Sequence, residues 1–158
     1  MAGFLSKFFG AKPPADIVWL TPDIAHTAAF DAREAQALGR LAIGALLDLR
    51  AQQRHELEPL GKAGLHYLHL EVADDAAPAL DELSRAADWV RQELGDDRKV
   101  LVHCAREGRG ALAVTAALLM RMGYPLPDAL TLARRGRDAP LSDDQMSALQ
   151  RYAEELGR

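Results

Sequence analysis

The chain has 158 residues, 49% of them hydrophobic, with 23 acidic against 19 basic side chains and a net charge of -4. That size suits one domain able to bury a core, and the lack of any long block of one charge argues against a nucleic-acid arm or a disordered tail. The single cysteine excludes an internal disulfide, and no apolar run is long enough for a signal peptide or a membrane span, so a cytoplasmic setting is expected.

Residues 1–14, MAGFLSKFFGAKPP, are expected to form an N-terminal extension to a single domain over residues 15–158. Phe4, Leu5, Phe8 and Phe9 recur at helical spacing beside Lys7, and Pro13 and Pro14 then stop any helix. So short a helix is marginal alone, and fraying or packing on the domain is the expected outcome. A weak contact of residues 4–9 with a membrane surface or a partner is the alternative. Apolar runs bounded by turn residues predict strands over residues 17–20, 45–49, 65–70 and 100–103. Between them, Asp31 with Glu34 reads as a capping box opening a helix to about Leu41, and Leu83, Ala87, Val90 and Leu94 make one apolar stripe. Strands alternating with helices predict an α/β fold with a largely parallel central sheet flanked by helices. Beyond Cys104 only helices are predicted, over residues 111–122 and 127–134, and then one opened by Ser142 with Gln145.

Cys104 therefore falls between the last buried strand and the helix after it, where backbone amides and the positive end of the helix converge on a ligand in parallel α/β sheets. A thiol in such a place, with arginines near, ionises more readily and becomes a nucleophile. The segment CAREGRG adds Gly108 and Gly110 for unusual backbone dihedrals, and Arg106 and Arg109 as forks for an oxyanion. The plain alternative is a small buried hydrophobe at a strand end.

The stretch VLVHC resembles the strand and His-Cys that open the signature of the dual-specificity and tyrosine phosphatase superfamily, in which five residues, an arginine and a serine or threonine follow the cysteine. The resemblance covers most of the chain. ALLDLR resembles the strand after the first helix, LHYLHLEVADD the strand leading to the general-acid loop, ALLMRMGYPLPDALTLARRGR the helices after the signature, and LSDDQMSALQRYAEEL the closing helix. It implies Cys104 as a nucleophile forming a cysteinyl phosphate, His103 orienting the loop, and Asp74 as general acid, with Asp75 the neighbouring candidate. The phosphate would bind across Ala105, Arg106, Glu107, Gly108, Arg109 and Gly110. Substrates would be phosphorylated proteins or small molecules, with no cofactor, metal or nucleic acid involved.

The signature is incomplete. Gly110 stands where the arginine is expected, Ala111 where the hydroxyl is, and Glu107 where a glycine is usual. Removing one preorganised donor of this kind costs about 2.7–4 kcal/mol of transition-state stabilisation. The leading expectation is a slow or atypical cysteine-dependent phosphatase. The second is a pseudophosphatase that binds without hydrolysis. A lesser one is a rhodanese-like sulfurtransferase, whose loop also places an arginine five positions after its cysteine, as Arg109 lies after Cys104. Arg137 sits where such phosphatases often carry an arginine behind the loop, a surface residue being the alternative. Trp19 and Trp89 are expected in the core. His66 and His69, three apart in a strand, point to opposite faces and do not share a metal.

Overall fold

The protein is described by a computed structural model over residues 16–105, 108–137 and 139–157. The extension over residues 1–14, with its proposed contact at 4–9, lies outside the described residues, as do Arg106 and Glu107. Five strands form one sheet in the order β1-β2-β5-β3-β4: β1 (Val18–Trp19), β2 (Ile24–Thr27), β3 (Ile43–Asp48), β4 (His66–His69) and β5 (Lys99–His103). Only β1 and β2 pair antiparallel; the other three pairings are parallel. The expected α/β fold with a largely parallel sheet is therefore present.

A 3₁₀ helix spans Ala32–Leu41, and five α-helices follow in chain order: α1 (Leu57–Lys62), α2 (Leu80–Gly95), α3 (Arg109–Arg121), α4 (Leu126–Ala133) and α5 (Asp143–Glu155). Asp31 and Glu34 do close a capping box, but the segment they open is 3₁₀ throughout. At the last helix, Ser142 and Gln145 cap one another in the same way.

Central strands are covered on both faces, which is why they read as continuous apolar runs. Alternate residues of β5 point opposite ways. Val100 and Val102 join the larger core under α2, α3, α4 and α5, while Leu101 joins a smaller one with Ala25, Leu46, Leu38 and Leu60, beneath the 3₁₀ helix and α1. Helix α3 is buried from Gly110 to Met120, so its first turn is held firmly against the C-terminal ends of the strands.

Two elements were not expected. Strand β2 reads IAHT and carries polar His26 and Thr27 within four buried residues, so its sequence shows no apolar run. Those polar groups are satisfied: His26 Nε2 lies 2.6 Å from the Arg135 carbonyl, and the Thr27 hydroxyl donates to Asp16 Oδ1 at 2.9 Å. Helix α1 contains Pro59 and Gly61 in six residues, both poor helix formers. Trp19 lies in β1 and Trp89 in α2, both partly buried against the cores, and Lys99 Nζ sits 5.4 Å over the Trp19 ring.

Candidate active site

Cys104 is the first residue past β5, where the chain turns toward α3. Its amide continues the sheet ladder by donating to the Thr27 carbonyl at 3.1 Å, and its side chain is turned inward, 1% exposed. Burial pushes the thiol pKa up, and Arg137 pulls against that. Arg137, in the turn after α4, places Nη1 2.8 Å from Cys104 Sγ, Nη2 3.1 Å from the Thr115 hydroxyl and Nε 3.1 Å from the Ala133 carbonyl. The sequence places Arg137 behind the loop at most; its direct contact with the sulfur follows from the path of the α4–α5 turn, which no local pattern encodes.

Asp74 lies at the other side of the loop. Its Oδ1 accepts from the Arg109 amide at 2.9 Å and its carbonyl from the Gly110 amide at 3.1 Å, so an aspartate distant in sequence caps α3, whose own cap position is Gly108. Gln145 Nε2 donates to the carbonyls of Asp74 and Ala76, each at 3.2 Å, tying the same segment to α5. Asp75 is exposed. Between the two candidates, Asp74 alone is brought to the helix.

Three of the amides expected to ring an oxyanion are engaged within the protein: Gly108 donates to the Ala105 carbonyl at 3.0 Å, while Arg109 and Gly110 donate to Asp74. The glycines also differ from expectation. Gly108 has φ -70, open to any residue. Gly110 is needed for closeness instead: a Cβ there would lie 2.2 Å from the Ala73 carbonyl oxygen and 2.7 Å from Val72 Cγ1. Arg109 thus gives its backbone to Asp74, and the position where an arginine side chain is expected has no room for one.

Two cavities flank the loop. The larger, about 680 Å³, is bordered by Phe30, Arg50, Val72, Asp74, His103 and Gly108 among others. Cys104 borders the smaller one, about 160 Å³, with Asp16, His26 and Arg137. Ala28 and Ala105 line both, so only a thin wall divides them.

His103 closes β5 and is held from behind. Its Nδ1 lies 2.8 Å from His55 Nε2, the rings stack at 5.0 Å, and Phe30 sets its edge on both. Asp48 completes this cluster with ligand atoms near enough to hold a metal ion. Its oxygens are already taken: Arg50 grips both, at 2.9 and 3.0 Å, and the Tyr67 hydroxyl donates to Oδ2 at 2.7 Å. Although burial opposes it, the Arg50 guanidinium and Tyr67 hold the Asp48 carboxyl below its usual range. The cluster is therefore organised as a hydrogen-bonded support. His66 and His69 face different partners, Glu93 and the Arg50 carbonyl.

Burial, reinforced by Arg50, lowers the His103 pKa to about 4, below the ordinary 6.5 of a histidine. A folded-state value below the unfolded one stabilises the neutral ring; that stability is whole above pH 6.5 and fades as the pH falls toward 4. Urea unfolding is expected to show a loss of about 3 kcal/mol across that window, largely absent in His103→Asn.

The family model described as "Polymorphic toxin system, DSP-PTPase phosphatase" matches residues 24–124. Among solved structures, Tk-PTP in the active form has a TM-score of 0.74 at 26% identity, over 89% of this chain and 97% of that one. Human DUSP28 has 0.72 at 28% identity, over 94% and 100%, and a mouse putative dual specificity phosphatase complexed with zinc tungstate has 0.73 at 26%, over 93% and 92%. No curated protein matches the sequence. The matched segment runs from β2 through α3 and so includes His103, Cys104 and the whole loop after them, which makes this chain a member of the DSP-PTPase phosphatase family.

Proposed function

We propose that this protein hydrolyses phosphate monoesters through a cysteinyl phosphate on Cys104, with Asp74 as general acid, and that its rate or substrate is unusual for the family. The observation that carries the reading is the Asp74 side chain on the Arg109 amide: the first turn of α3 already holds a carboxyl oxygen, in the loop that begins at Cys104. A phosphate oxygen is a competing anion for that amide and for the positive end of α3. Its arrival releases the Asp74 side chain next to the scissile bond.

The Cys104 thiolate then attacks phosphorus. The thiol has by then lost its proton to water and the released Asp74 carboxylate has taken one up from water; the S–P bond forms as the P–O bond to the leaving group breaks, and Asp74 gives its proton to the departing oxygen. Water next attacks the cysteinyl phosphate and loses a proton to the Asp74 carboxylate. The S–P bond breaks, inorganic phosphate leaves, and the thiolate is restored. His103, kept neutral by burial and held by His55, fixes the backbone from which Cys104 projects. Ala105, Gly108, Arg109 and Gly110 supply the phosphate-facing backbone, with Arg106 and Glu107 of the same loop lying outside the described residues. Arg50, paired with Asp48, lines the wall of the larger cavity.

Family membership favours this reading over the pseudophosphatase and the sulfurtransferase. Substrates are then phosphorylated proteins or small molecules. Among the described residues no helix is long and apolar enough to cross a membrane. An unpaired catalytic thiol suits the reducing, cytoplasmic setting expected from the sequence.

With p-nitrophenyl phosphate as substrate, Cys104→Ser is expected to abolish turnover and Asp74→Asn to lower it by about 10²–10⁴, while Asp75→Asn stays within about threefold of wild type. Equal turnover by Cys104→Ser and wild type would overturn the proposal. Inserting the family's arginine by Gly110→Arg is expected to lower both activity and stability, because its Cβ meets the Ala73 carbonyl. A loss of about 1–3 kcal/mol is expected in thermal or urea unfolding; a gain in turnover would show that the loop tolerates the side chain.

A further inference from the structure

A buried thiolate needs a counter-ion, and the segment from Cys104 to Gly110 does not offer the one its family uses. Arg50, the cation at the larger cavity, has both Asp48 oxygens on its guanidinium, so its charge is largely matched. Arg137 is placed differently. Among the described residues it makes no salt bridge to a carboxylate, and its nearest polar partner is the sulfur itself.

We propose that Arg137 is the catalytic arginine of this protein, supplied from the turn after α4 rather than from residues 104–110. Its guanidinium holds the Cys104 sulfur as an anion and stays beside it while the phosphoryl group is carried there. The assignment rests on the phosphatase reading above and deepens it by naming the residue that stands in for the one absent at 110.

The side chain is set for this before any substrate binds. Thr115 donates to the Ala111 carbonyl at 2.8 Å, which turns a lone pair toward Arg137 Nη2 at 3.1 Å. Thr115 lies one helical turn after Ala111, on the same face, so a hydroxyl absent from the first turn reappears in the second and steers the arginine. The turn itself is pinned to the sheet edge. The Arg135 carbonyl meets His26 Nε2 at 2.6 Å, Arg135 Nη1 reaches the Leu20 carbonyl at 3.3 Å, and Gly136 adopts φ +73, where a Cβ would lie 2.8 Å from Val18 Cγ2. Such fixed donors stabilise developing charge without reorganising.

Other charges near the sulfur work the opposite way. Asp48, at the end of β3, and Asp16, across the smaller cavity, both favour the protonated thiol, as burial does. His26 also lines that cavity, and His103 adjoins the cysteine. Among the described residues, Arg137 is the group that favours the thiolate.

The test is the pH dependence of Cys104 alkylation by iodoacetamide, measured on the full chain beside p-nitrophenyl phosphate turnover. Arg137→Met is expected to raise the alkylation inflection by about one pH unit or more and to cut turnover by about a hundredfold or more. Arg137→Lys should keep part of the inflection shift yet remain about tenfold down in turnover, because an ammonium cannot span both sulfur and hydroxyl. Should Arg137→Met lose its cooperative melt, Thr115→Val decides, since it frees the guanidinium while keeping its charge. A rise in inflection with about fivefold or greater loss of turnover supports the assignment, and no change in either overturns it. Cys104-dependent turnover that survives Arg137→Met within about twofold, with an unmoved inflection, overturns the role of Arg137 and leaves the phosphatase reading intact. A raised inflection in a protein whose wild type turns over nothing supports Arg137 as counter-ion and overturns that reading instead.

Discussion

The approach of one backbone to another at Gly110 constrains the whole site. Because the Ala73 carbonyl would stand 2.2 Å from any Cβ at this position, the segment carrying Asp74 can lie directly on the first turn of α3. From that contact follow the cap that Asp74 makes on Arg109 and the anchoring by Gln145 from α5. The same contact excludes the side chain that the family would place at 110. Gly110 is thus a structural requirement of this loop, and a cation cannot come from position 110.

Charge around the sulfur is a balance of few groups. Burial, Asp48 and Asp16 favour the thiol; Arg137, fixed by Thr115 and the Ala133 carbonyl, favours the thiolate. The imidazole beside it adds no charge near neutral pH, since burial and Arg50 hold His103 neutral. Asp74 lines the larger cavity and Cys104 the smaller, with Ala28 and Ala105 common to both. In the proposed reaction the phosphate takes the amide that Asp74 occupies, and this reopens the corner so that sulfur and acid share one cleft.

Much of this was legible in the sequence, for definite reasons. The central strands are apolar because both faces are buried, and Ser142 with Gln145 announces α5 through a cap that is purely local. Cys104 and His103 were found because their place after an apolar strand is itself a sequence pattern. Strand β2 was missed because its polar residues are satisfied by partners far away in sequence, Asp16 and Arg135. The same limit hid the site's second half. Contacts of Arg137 with Cys104, of Asp74 with Arg109 and of His55 with His103 join residues 33, 35 and 48 positions apart, and each depends on how elements pack. The role of Gly110 is hidden from the sequence for a related reason: its need is for proximity to Ala73, which only the assembled fold creates.

The central claim is that Cys104 carries phosphate covalently in a site whose arginine arrives from outside the loop. Acid-quenching the protein during turnover of p-nitrophenyl phosphate, followed by peptide mass spectrometry, tests it most directly. The account predicts a phosphoryl adduct on the peptide containing Cys104, formed within one turnover and absent when the thiol is first alkylated. Product release with no adduct on that peptide, at quench times spanning the first turnover, would contradict it.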